Sequence, residues 1–294
     1  SAKLPNLVLP RAHSPFFIHH PFPLGNPIQG VIFQEPPIRH YVNSHCDAAV
    51  VCIVEETPVA IDVQTILTDK SPAFHERVGA PLDLEDFRSC YCVGGIDLSQ
   101  TRDLTAGLVI IEKDGELYVK AKLWIPGEKL EEAKARDGLP YDIYVQRGLL
   151  GLSGENFVDY HDCYEWFREL VENYQIYPLK IGYDRYSAQY LVQDLKAYGF
   201  QCDDVFQGYN LTPIINETEG LIRDGKIHIG DNDLLKIHLL NGALKTETQT
   251  DRKKLVKLSA SEHIDAAAAL LDAMTVRAKW WSEIGPQLRN DNGG

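Results

Sequence analysis

Three aspartates stand where a carboxylate is costly to keep without a partner. Asp97 closes the apolar run Tyr91-Cys92-Val93-Gly94-Gly95-Ile96-Asp97-Leu98-Ser99. Asp184 closes the shorter run Lys180-Ile181-Gly182-Tyr183-Asp184-Arg185. Asp265 opens the alanine-rich segment His263-Ile264-Asp265-Ala266-Ala267-Ala268-Ala269-Leu270-Leu271. An acid at the exposed end of a buried element needs compensation, and a metal ion is the usual source. Each aspartate taken singly could equally cap a helix or pair with a base. Strand-Asp, strand-Asp and helix-Asp in that order instead predict carboxylates converging on divalent metal, the equipment of phosphodiester hydrolysis.

Other groups near these positions have two readings each. Asp103 is either a turn residue in the Gln100–Asp103 connection or an acid standing behind the ligands. His263, two residues before Asp265, could steer water or phosphate, or serve as a surface or cap residue. Asp272 shares the helix face of Asp265 but lies two turns away, and is left out of the expected site. Arg185 could meet a phosphate or an acid. Lys245, Arg252, Lys253, Lys254 and Lys257 form a basic stretch before Asp265, either a solvated loop or a set of DNA phosphate contacts. The histidines at 13, 19, 20, 40 and 45 fit no closed metal site.

The elements that must carry these groups follow from periodicity. Cys90–Asp97, Thr105–Glu112 and Leu117–Ile125 read as three consecutive strands, with a glycine-containing hairpin connection at Lys113-Asp114-Gly115-Glu116. Helices are predicted over Glu128–Arg136, His161–Asn173, Ser187–Tyr198, Thr212–Asp224 and Leu234–Leu244, with a last one from Asp265 towards Trp281. Strands are predicted over Ala48–Glu55, Leu179–Tyr183 and Cys202–Phe206, and a short polar helix or turn over Leu82–Phe87. Three antiparallel strands followed by strands alternating with helices describe an α/β fold: a mixed sheet, antiparallel then parallel, flanked by helices, as in RNase H-like nucleases. Residues 1–89, proline-rich at their start, are expected to form an arm or linker. Residues 90–285 would form the nuclease domain, and 286–294 a flexible tail.

The bulk properties narrow the classes. The chain has 294 residues, 44% hydrophobic and 24% charged, ordinary for a globular protein. No apolar run approaches the ~20 residues of a bilayer-spanning helix, and the first residues lack a signal-peptide core. Six cysteines form no CxxC pair, so buried free thiols in a reducing cytoplasm are expected. The formal charge of -13 argues against tight autonomous DNA binding but is compatible with a site whose acids hold cations.

From about Tyr91 to Met274 the chain resembles the C-terminal nuclease domain of the large terminase subunit of tailed bacteriophages. The matching stretches are Gly95-Ile96-Asp97-Leu98-Ser99 with Asp103-Leu104-Thr105-Ala106, then Gly182-Tyr183-Asp184, Gln207-Gly208-Tyr209, Gly225-Lys226-Ile227-His228 and His263-Ile264-Asp265-Ala266-Ala267-Ala268-Ala269-Leu270. The resemblance implies an endonuclease that cuts double-stranded phage DNA during packaging with two Mg2+ or Mn2+ ions. It implies Asp97 as the bridging ligand, with Asp184 and Asp265 completing one metal each. It implies the portal protein and the small terminase subunit as partners, the host cytoplasm as the location, and no membrane association. The family pairs this nuclease with an ATPase, yet no GxxxxGK[ST] phosphate loop occurs here, so no ATPase is expected of this chain. Another RNase H-like hydrolase, such as a resolvase, would share the carboxylates, and a non-catalytic docking module would use the acids structurally.

Overall fold

The computed structural model describes residues 60–62, 81–98, 104–184, 189–247 and 249–290. The expected strand at Ala48–Glu55, the proline-rich start and its histidines, Asp103, Arg185 and Ser187 lie outside the described residues.

The central strand is β2 (Tyr91–Asp97). Its side chains alternate between two cores, as a pleated strand buried on both faces must. Cys92 and Ile96 belong to one apolar cluster and Val93 to the other. On one side β2 pairs antiparallel with β3 (Thr105–Lys113), and on the other it pairs parallel with β6 (Tyr177–Asp184). β3 turns into β4 (Glu116–Ile125) through Asp114 and Gly115, whose φ values of 54° and 79° suit a tight two-residue hairpin. β5 (Leu150–Leu152) and β8 (Ile227–His228) both pair parallel with β4, and β7 (Cys202–Val205) pairs parallel with β6. The sheet order β5-β4-β3-β2-β6-β7 is the expected mixed arrangement, antiparallel through its first three long strands and then parallel.

Helices cover both faces. α1 (Leu130–Asp137) ends at Gly138, which takes the left-handed φ of 67° that a C-terminal stop favours. α2 (Tyr141–Gln146) leads into β5. α3 (Tyr160–Glu172) turns Phe167 and Leu170 into the cluster that holds Cys92 and Ile96, joined by Leu191 and Leu195 of α4 (Gln189–Tyr198). On the other face lie α5 (Thr212–Arg223), α6 (Asp233–Leu240) and the long α7 (Asp265–Lys279), which is buried over most of its length.

Three stretches depart from expectation. The helix expected over Leu234–Leu244 stops at Leu240, and Gly242–Thr246 forms β9. β9 finds its hydrogen bonds in β10 (Lys253–Lys257), the second arm of a hairpin, and in β1 (Ala60–Asp62), a partner distant in sequence that local periodicity cannot reveal. The basic stretch is therefore largely a strand and not a loop, and β1 ties part of the expected arm into a second sheet. α8 (Trp281–Asn290) runs past residue 286, where a tail was expected, because Ile284 and Leu288 bury against the core.

Candidate active site

The position of α7 decides the site. Gly95 and Gly182 are register partners on β2 and β6, and both turn their missing side chains toward this helix. A Cβ on Gly95 would fall 1.9 Å from the Ala269 carbonyl oxygen, and one on Gly182 would fall 2.3 Å from that of Asp272. The helix can rest on the sheet only because both positions are glycine.

Alternate residues of a strand share a face, so Asp97 and Asp184, two beyond these glycines, turn to the α7 side. They end adjacent parallel strands and so stand side by side. The direction of α7 brings Asp265 to the same edge. Its last turn lies toward the start of β2, since Arg277 binds Glu112, one residue along β3 from the Cys92 partner Ile111. Its middle rests on Gly95 at Ala269 and Ala273. The helix therefore runs antiparallel to β2. Asp265 lies four residues back from Ala269, about 6 Å along the helix axis. Asp97 lies two residues beyond Gly95, about 6.6 Å along the strand. By this reckoning Asp265 lies toward the same end of the sheet as Asp97 and Asp184, at the start of the helix.

Asp265 is backed by a buried polar cluster. Its Oδ2 is 3.7 Å from Nδ1 of His238 and 3.8 Å from Nδ1 of His263. His238 Nδ1 accepts the amide N–H of Ala266 at 3.2 Å, so its ring carries the proton on Nε2. His263 is buried, not a surface residue: its Nε2 lies 3.1 Å from Asp137 Oδ2 and 2.9 Å from the Arg136 guanidinium. Tyr141 also donates to Asp137, at 2.9 Å. Burial pushes the Asp137 carboxyl up, but hydrogen bonds from Arg136 and Tyr141 and the charge of His263 outweigh it and hold Asp137 below the usual range.

A fourth acid, Asp272, is present that the sequence reading set aside. It is fully buried, and its Oδ2 accepts from Gln207 Nε2 at 3.0 Å. Burial pushes its carboxyl well above the usual range; the charge of Asp97 adds to this, the Gln207 hydrogen bond opposes it, and Asp184 adds further. Its Oδ1 is buried and, among the described residues, has no hydrogen-bond partner. The signal in the sequence was an aspartate amid Leu270-Leu271 and Ala273-Met274, an apolar setting that an acid enters only for a reason. Among the described residues no group of three His, Cys, Asp or Glu side chains is placed to hold a metal ion. The donors of the expected site are hard carboxylate oxygens, the ligand type that suits magnesium or manganese.

The basic residues fall on β9, β10 and the turn between them. Lys253 binds Glu219 of α5 at 2.7 Å and is largely covered. Arg252 pairs with Glu247 at 3.0 Å. Lys254 lies 5.0 Å above the Tyr209 ring, with Arg252 at 5.7 Å. Lys254 and Lys245 stand opposite each other across the two strands, a pairing that favours an anion nearby. Tyr209 is two residues from Gln207, the hydrogen-bond partner of Asp272. Lys257 is half-buried at the other end of β10.

Comparison with known proteins identifies the family. The family description "terminase large subunit, endonuclease domain" matches residues 62–280. The terminase large subunit of Enterobacteria phage HK97 is 28% identical over 180 residues, 60% of this chain and 35% of that protein. The crystal structure of the HK97 bacteriophage large terminase superposes with a TM-score of 0.60 at 24% identity, over 69% of this chain and 42% of the other. The large terminase nuclease from thermophilic phage G20c superposes with a TM-score of 0.47 at 13% identity, over 72% of this chain and 97% of that one. The chain spans little more than a third of the HK97 protein's own length.

Proposed function

The chain belongs to the family of terminase large-subunit endonuclease domains, and we propose on that footing that it cuts double-stranded DNA during phage genome packaging with divalent metal. What supports this reading is the seating of α7, which opens at Asp265, on Gly95 and Gly182, two residues before Asp97 and Asp184 at the ends of adjacent parallel strands. Asp97, Asp184 and Asp265 are the carboxylates that would hold the metal. Two Mg2+ or Mn2+ ions bound there would supply an activated water and a stabilised leaving oxygen.

The protein's own groups do the rest. His263 and Asp137 stand behind Asp265 and restrict how its carboxylate can turn. Lys254 and Arg252, beside Tyr209, offer charge to the phosphates flanking the cut bond. The working unit extends from β1 to α8, wider than residues 90–285. No GxxxxGK[ST] phosphate loop occurs in these 294 residues, so the reading assigns them no ATP-driven step. The portal protein and small terminase subunit are the proposed partners, in the host cytoplasm.

The test is nicking of supercoiled plasmid by the purified chain with Mn2+, with EDTA, and with Asp97→Ala. The reading expects cleavage only in the first case. Cleavage that persists in EDTA, or none with any divalent ion, would overturn it.

A further inference from the structure

We propose that Asp272 is a fourth carboxylate of the metal centre, turned toward it by Gln207. This deepens the reading above and rests on a metal ion at Asp97 and Asp184. Asp272 has no exposed surface. One of its oxygens is held by Gln207 at 3.0 Å, and the other, Oδ1, is buried without a hydrogen-bond partner among the described residues. Two further acids, Asp97 and Asp184, lie close enough for their charges to act on it. Desolvation, like charge and an unmade hydrogen bond therefore all oppose an acid here. An amide or a leucine would serve packing alone at lower cost. A cation beside Oδ1 reverses all three penalties.

Gln207 is suited to the task for a chemical reason. Its amide donates a hydrogen bond and fixes the carboxylate, but carries no charge to neutralise it, as a lysine or arginine would. It leaves Oδ1 available. Its own place is set from both sides. Val205, two residues earlier, is the register partner of Asp184. Tyr209, two residues later, lies against Lys254 and accepts through its carbonyl from Thr212 Oγ1 at 2.7 Å. Gly182 completes the arrangement by letting the Asp272 backbone settle against β6.

The experiment measures Mn2+ affinity by electron paramagnetic resonance and melting temperature without metal, for the full chain and for Asp272→Asn, Gln207→Leu and Asp97→Asn. The expected result is Mn2+ binding about tenfold weaker or more in both Asp272→Asn and Gln207→Leu, the scale of a lost ligand-orienting contact. Asp272→Asn should also melt higher than the unaltered chain, since it removes the buried acid. Loss of binding in Asp97→Asn with unchanged binding in Asp272→Asn overturns the role of Asp272 and spares the centre. Unchanged binding in Asp97→Asn overturns the centre and the inference together. Should Asp272→Asn not fold, unchanged affinity in Gln207→Leu is the overturning result.

Discussion

At the scale of single residues, the acids of this site are placed against stability. The charges of Asp97 and Asp184 both oppose ionisation of Asp272, so removing either should not loosen the fold, and on the proposed reading it should prevent metal binding. Asp97→Ala and Asp184→Ala are expected to reduce DNA cleavage to background, with melting temperatures equal to or above the parent; circular dichroism melts beside a plasmid assay would check this. Asp272 adds a pH dependence whose sign is fixed. Its folded carboxyl is raised above the ordinary value, chiefly by burial and then by Asp97. Below the ordinary aspartate range the group is neutral in both states and costs nothing. As pH rises above that range the unfolded chain ionises first, so stability is lost up to the folded value. The melting advantage of Asp272→Asn over the parent should therefore be small near pH 4 and grow toward pH 7, in metal-free buffer. An advantage that stays constant with pH would mean that burial does not hold this carboxyl neutral.

At the scale of elements, the contact between α7 and the sheet is the structural premise of the site. Adding a methyl at Gly95 drives it into the Ala269 carbonyl, at 1.9 Å. Gly95→Ala should cost about 1–3 kcal/mol or more in urea denaturation, as overpacking does, and should abolish cleavage by shifting Asp265 and Asp272 away from the strand acids. The basic strand β10 divides by face. Lys254→Glu should raise the DNA concentration needed for cleavage, most at low salt, and leave the melting point nearly unchanged. Lys253→Glu should instead lower stability, because it sets a carboxylate against Glu219. Equal effects of the two on DNA dependence would contradict the assignment. Much of this layer was legible in the sequence. The alternation of β2, the Asp114-Gly115 hairpin and the alanine-rich α7 are local signals, and they put Asp97 at a strand end and Asp265 at a helix start, as the structure has them. β9 and β10 were not legible, since the helical spacing of Leu234–Leu240 was read on to Leu244 and β9 also pairs with residues 60–62, far off in the sequence. Asp272 was missed for a related reason: its value comes from crossing β6 at Gly182, not from its spacing to Asp265.

At the scale of the whole molecule, a net charge of -13 meets a polyanionic substrate. Binding must then rest on a few local phosphate contacts and on cations, and each contact adds only about -0.9 to the log–log salt slope. The chain should also show no steady-state ATP hydrolysis, because the sequence has no phosphate loop; a lysine-dependent ATPase activity in the purified protein would overturn that. The central claim is that Asp97, Asp184 and Asp265 share a metal centre. The most direct measurement is an anomalous difference map from a crystal of the chain soaked in Mn2+. The account predicts two peaks about 3.5–4 Å apart, with Asp97 between them and Asp184 and Asp265 on either side. Peaks elsewhere, at the Asp137–His263 cluster for instance, or no peak at these carboxylates, would contradict it.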